Sequence, residues 1–134
     1  MLEVEVLGRE FTEASLPLGE IEQLCARALH SAGIEHGHLA IEFVSAERIA
    51  ELNREFRGKQ GPTDVLSFPI DELEPLGNEA MPRELGDIVI CPTHTVDLRE
   101  AIVHGTLHLI GMDHETDDGE MLALQDHIMR GDRP

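Results

Sequence analysis

Residues 2 to 6, LEVEV, alternate Leu2, Val4 and Val6 with Glu3 and Glu5, the period of a strand with one buried face. The period then changes. Between 19 and 32, Ile21, Leu24, Cys25, Ala28 and Leu29 recur at helical spacing, and Gly33 follows as a stop signal. HLAIEFV, from 38 to 44, returns to alternation, with Leu39, Ile41 and Phe43 on one side. Ser45 can cap a short helix carrying Ile49, Leu52 and Phe56. TDVLSFPI and LGDIVIC read as a third and a fourth strand. Between them DELEPLGNEAMPRE is acidic and rich in Pro and Gly, and reads as a surface loop.

Asp97 with Glu100 three residues later resembles a capping box. It starts a helix running to about Ile110, with Val103, Leu107 and Ile110 facing the core and Gly111 ending it. DDGEMLALQDHIMR then makes a last amphipathic helix on Met121, Leu124 and Ile128. The order βαβαββαα predicts an α+β fold. It is one domain over residues 1–134, a four-stranded mixed sheet packed with four to five helices. No internal repeat, low-complexity tract or linker divides it.

Composition bounds this picture. At 134 residues and 14.9 kDa the chain is large enough for a single modest core. It has no apolar run of membrane-spanning length, and its N-terminus lacks the basic head and apolar block of a signal peptide. Cys25 and Cys91 lie far apart without a CxxC partner, so a disulfide framework is not expected and a reducing cytoplasm is. Cys25, on an apolar helix face, reads as a small core residue.

Charge narrows the partners. Ten basic against 27 acidic side chains give a formal charge of −17, which argues against non-specific nucleic-acid binding. Yet Arg54, Arg57 and Lys59 fall within six residues, opposed only by Glu55. That local patch keeps a phosphate-bearing partner open.

The chemistry concentrates in HGTLHLIGMDH, residues 104 to 114, which holds three of the eight histidines. His104 and His108, at i and i+4, share a helix face with Cβ atoms about 5–6 Å apart. Two imidazoles so placed can bind one metal at about 2.0–2.1 Å each. Gly111 lets the chain leave the helix, and the return brings His114 towards the same point. Three neutral imidazoles with an open fourth position describe a catalytic rather than a structural zinc site, although iron, nickel and copper accept the same ligands. Asp113 can orient a ligand from behind or act as a plain turn residue. His30, His36, His38, His94 and His127 show no comparable spacing and are expected at the surface.

The spacing H-x3-H-x2-G-x2-H is also that of the metzincin proteases, where the residue after the first His is the Glu that serves as general base. Here it is Gly105, which cannot move a proton. A glycine there is expected to make room for a bulky substrate backbone beside the metal.

HGTLHLIGMDH, preceded in order by TDVLSFP and LGDIVI and by ELNREFRGKQGP, resembles the YbeY family of bacterial endoribonucleases over about Leu39 to Met129. The resemblance implies a zinc-dependent endonuclease of single-stranded RNA. It further implies action in ribosome biogenesis, on the 3′ end of small-subunit rRNA, with the ribosome or its assembly factors as partners. It places the family's three zinc ligands, one ion per chain, on His104, His108 and His114, and its catalytic arginine on Arg57. Two departures stand out. Met112 occupies a position where the family usually has Tyr, and the stretch between Asp87 and His104 is shorter than usual.

RNA cleavage needs a Lewis acid, a cation for the charge gathering on phosphorus oxygens, and a group to move the proton. The histidines supply the first. Arg57 supplies the second, with Arg54 or Lys59 guiding phosphates. The third is left unassigned by the sequence: Asp64 is the nearest candidate, with a zinc-bound hydroxide or the ribose 2′-hydroxyl as alternatives. Two rival readings are a zinc hydrolase of a peptide or small molecule, and a non-catalytic ribosome-assembly factor with a structural metal.

Overall fold

The computed structural model describes residues 2–11, 16–69, 84–111 and 119–130. Strand β1 (Leu2–Leu7) leads through α1 (Leu18–His30) to β2 (Gly37–Phe43), and α2 (Ala46–Arg57) leads to β3 (Val65–Pro69). Strand β4 (Glu84–Ile90) is followed by α3 (Leu98–Leu109) and α4 (Glu120–Met129), with single 3-10 turns at Arg9–Phe11 and Pro92–His94. The expected order of strands and helices is the observed one. The acidic loop expected before β4 lies outside the described residues, apart from Glu84, which begins the strand.

The sheet runs β1-β2-β4-β3, parallel from β1 to β2 to β4 and closed on one side by antiparallel β3. It is thus mixed, as expected. Its register slips between His38 and Leu39, where the facing residues jump from Glu84 to Gly86. Gly86 takes φ +132, and a Cβ there would lie 2.3 Å from the Phe68 carbonyl oxygen. Only glycine fits this crossing of two backbones.

Alternation divides the core. Leu39, Ile41 and Phe43 of β2 join Ile88 and Ile90 of β4 against α1, α3 and α4 in one buried cluster. On the other face Leu66 and Val89 meet Ile49 and Leu52 of α2 in a smaller one. Each such aliphatic side chain removed from water contributes about 1.5–3 kcal/mol. Ser45 caps α2 by accepting from the Arg48 N–H at 3.2 Å, and Asp97 caps α3 by accepting from those of Arg99 and Glu100 at 3.0 and 3.3 Å.

One large apolar residue of α2 is not in the core. Phe56 is 59% exposed. Its ring packs edge to face with Phe68 of β3, with centroids 5.2 Å apart, and the remainder of it lies open to solvent. Cys25 is fully buried, as expected, and burial pushes its thiol up to about 12 against the lowering hydrogen bond from Thr106. Both cysteines are free. Among the described residues no helix is long and apolar enough to cross a membrane.

Candidate metal centre

Helix α3 packs between α1 and α4 and lies over β3 and β4, which makes it the central helix of the fold. Its last turn closes with the Gly111 N–H on the His108 carbonyl at 3.0 Å, and Gly111 leaves the helix at φ +95. This is the exit foreseen from the sequence. His104 and His108, one turn apart on α3, are each half-buried.

Their rings lie edge to face with centroids 4.7 Å apart, and the two Nε2 atoms approach to 3.1 Å. Two ligands of a tetrahedral zinc, each at about 2.0–2.1 Å, stand about 3.3 Å apart. The pair therefore has the separation and the convergence that one shared cation requires. The donor chemistry, two imidazole nitrogens, fits zinc. His114, Asp113 and Met112 lie outside the described residues, and among those that are described no third His, Cys, Asp or Glu completes a ligand cluster.

Behind the pair stands a residue the sequence reading passed over. Gln125, on α4, is buried at 8% exposure and brings Oε1 to 2.7 Å from Nδ1 of His104. A signal was there: Gln125 lies four residues after Met121 and three before Ile128, a polar residue at a position the helical period assigns to the core.

The expectation for Gly105 is corrected. A Cβ on it would meet Ile88 Cγ2 at 2.7 Å, with Val65 Cγ2 and Ser67 Oγ at 3.3 Å. The glycine lets α3 settle on the sheet, and the space beside it is filled by protein rather than left for a substrate. Its carbonyl accepts a hydrogen bond from the Ser67 hydroxyl at 3.0 Å, which ties the helix to β3.

Arg57 is the exposed last residue of α2, and Arg54 and Lys59 are exposed beside it. Asn53, buried within that same turn, donates from Nδ2 to the Gly61 carbonyl at 2.9 Å, and its backbone carbonyl accepts from the Lys59 N–H at 3.3 Å. The basic turn is thereby held against the end of the helix. Helices α2 and α3 pack on opposite faces of β3, through Leu66 and through Val65 and Ser67 respectively. The basic cluster and the histidine pair so belong to opposite sides of one edge strand. Asp64 opens that strand: its Oδ1 accepts from the Val65 N–H at 2.8 Å, and its carbonyl accepts from the Cys91 N–H at 2.8 Å. Its carboxylate therefore has a local structural task.

Among the remaining histidines, His38 has charged neighbours on both sides of its ring. It lies across three strands, with Nδ1 at 3.1 Å from a Glu84 oxygen and Nε2 at 3.5 Å from a Glu5 oxygen.

The sequence profile of the family described as Endoribonuclease YbeY matches residues 10–131. The chain belongs to the YbeY family. Its curated relatives include an Endoribonuclease YbeY of Rubrobacter xylanophilus, 40% identical over 136 residues that cover 97% of this chain and 96% of that one. Another, from Bacillus cytotoxicus, is 39% identical over 129 residues, covering 81% and 82%. The solution structure of TM1509 from Thermotoga maritima is similar as well, with a TM-score of 0.53 and 30% identity over 92% of this chain and 85% of that one. The YbeY resemblance read from the ordered motifs is borne out.

Proposed function

We propose that this YbeY-family chain is a zinc-dependent endonuclease of single-stranded RNA that acts in the cytoplasm on the 3′ end of small-subunit rRNA during ribosome biogenesis. The observation that carries the reading is the 3.1 Å convergence of the His104 and His108 Nε2 atoms in a chain of this family. The names of its relatives support an RNA substrate. His104, His108 and His114 hold one zinc per chain, with Asp113 beside the third ligand. Zinc so held supplies Lewis acidity towards a phosphoryl oxygen and acidifies bound water.

The chain's own side chains do the rest. Arg57 offers a planar fork of donors that holds two phosphoryl oxygens and stays charged at any working pH. Its exposure on α2 leaves the fork accessible to a strand of RNA passing the β3 edge. Arg54 and Lys59 guide neighbouring phosphates, and the rest of the acidic surface repels RNA that is not aligned with this cluster.

The test is metal content measured together with cleavage of a single-stranded RNA, with and without chelator. One zinc per chain is expected, lost in His104→Ala, His108→Ala and His114→Ala, with RNA cleavage lost in step. Full metal content in all three variants would overturn the ligand set. Peptide cleavage without RNA cleavage would favour the hydrolase alternative, and metal without cleavage of either would favour a ribosome-assembly role.

A further inference from the structure

Gln125 is a buried amide with one conspicuous partner. Its Oε1 lies 2.7 Å from Nδ1 of His104, while Nε2 of the same ring faces His108. With Oε1 placed on the ring the amide accepts, and Nδ1 carries the proton. The single proton of a neutral imidazole is then used, and Nε2 is left as a lone pair. That lone pair is the one directed at the convergence point. Turned over, the same amide would put its NH₂ group on Nδ1 and force the ring proton onto Nε2, where a cation could not be held. Tautomer and metal binding are therefore one decision, and Gln125 makes it.

Packing keeps the helix that carries the amide where it is. Met121 and Ile128, about one turn to either side on α4, are buried in the same core as Val103 and Leu107 of α3. Helix α4 cannot slide along α3 without withdrawing them. The chain's C-terminal helix thereby acts as the back wall of the site.

We infer that Gln125 is the positioning residue of the centre, setting His104 in its Nδ1–H tautomer and orientation so that Nε2 is ready for the metal. This rests on the metal reading above. An uncharged acceptor also distinguishes this site from one backed by a carboxylate. It leaves the ligand less basic and adds no negative charge behind a cation that must attract phosphate.

The test uses the full chain and four proteins: wild type, Gln125→Met, Gln125→Glu and His104→Ala. Zinc and cobalt(II) affinities are measured by competition with a chromophoric chelator. Gln125→Met, unbranched and close in length, fills the same space without a strong acceptor. It should weaken metal binding by about 10–100-fold, the usual effect of losing such a partner. Gln125→Glu, which keeps the acceptor, should bind at least as tightly as wild type. Melting temperature in excess chelator should be near wild type in Gln125→Met, which separates positioning from folding. Nitrogen-15 spectra of the metal-free proteins give a second readout: His104 should be the Nδ1–H tautomer in wild type and shift towards Nε2–H in Gln125→Met. Should Gln125→Met fail to fold, the tautomer in wild type and the affinity of Gln125→Glu still decide. Wild-type affinity in Gln125→Met, or an Nε2–H tautomer in wild type, would overturn the inference while leaving the ligands in place. Equal metal binding by wild type and His104→Ala would overturn the metal reading itself, and this inference with it.

Discussion

Gly105 and Ile88 meet so closely that a Cβ on the glycine would lie 2.7 Å from Ile88 Cγ2, nearer than side-chain carbons approach one another. The atom in the way is the branch methyl of a fully buried isoleucine, held by a stiff χ1, and it cannot swing aside. Helix α3 therefore rests on β4 at a depth that only glycine permits.

This contact predicts the result of Gly105→Ala. Alanine gains about 1 kcal/mol of helix propensity over glycine, whereas overpacking a dense core costs about 1–3 kcal/mol. Because the obstruction is rigid, the second effect wins and urea unfolding should show net destabilisation. Ile88→Leu moves the branch away from Cβ at constant volume and should recover part of the loss in the double variant. Gly105→Glu should be worse than alanine and yield no peptidase, because the new side chain starts towards the sheet.

What the sequence made legible is what local physics decides. Alternation in β1 and β2, the apolar face of α1 and the caps at Ser45 and Asp97 depend on neighbours a few residues away, and each is found as read. The histidine pair was legible for the same reason, since i and i+4 share a helix face whatever the helix packs on. Three features were not. Phe56 follows the helical period, but only the packing of α2 on β3 shows that a single ring, that of Phe68, meets it and leaves it largely exposed. Gly86 looks like any strand glycine until the register with β2 and the Phe68 carbonyl are known. Gln125 shows as a polar interruption of an apolar face, and only the approach of α4 to α3 identifies His104 as its partner.

His38 gives a pH-dependent prediction away from the proposed centre. Its hydrogen bond with Glu84 raises the imidazole above its ordinary 6.5, helped by the charges of Glu84, Glu5 and Glu3 and opposed by partial burial. The folded state thus holds this proton more tightly than the unfolded chain does. Its contribution to stability is complete below about pH 6.5 and is lost as pH rises through the folded value. Proton NMR titration should place His38 above an unperturbed histidine, and Glu84→Gln should bring it down. The melting-temperature gap between wild type and Glu84→Gln should narrow as pH rises above this window. A gap that widened with pH would assign the wrong sign to the interaction.

Arg57 carries the last prediction. It lies exposed at the end of α2, in a basic turn held by Asn53. Its removal should therefore leave the melting temperature and zinc content close to wild type. Deleting a donor to developing transition-state charge typically costs about 10²–10³ in rate, or about 3–4 kcal/mol. Arg57→Ala should accordingly lose RNA cleavage to that extent. Arg57→Lys should recover little, because a point charge cannot reproduce the two-pronged fork. Asn53→Leu, which releases the Gly61 carbonyl while leaving the guanidinium in the chain, should fall between wild type and Arg57→Ala if the turn orients Arg57. Rates must be taken at saturating RNA, so that weaker binding is not counted as slower chemistry. If Arg57→Ala turned over at a near-normal rate once saturated, with only KM raised, the residue would steer phosphates into the site and the transition-state charge would be met elsewhere.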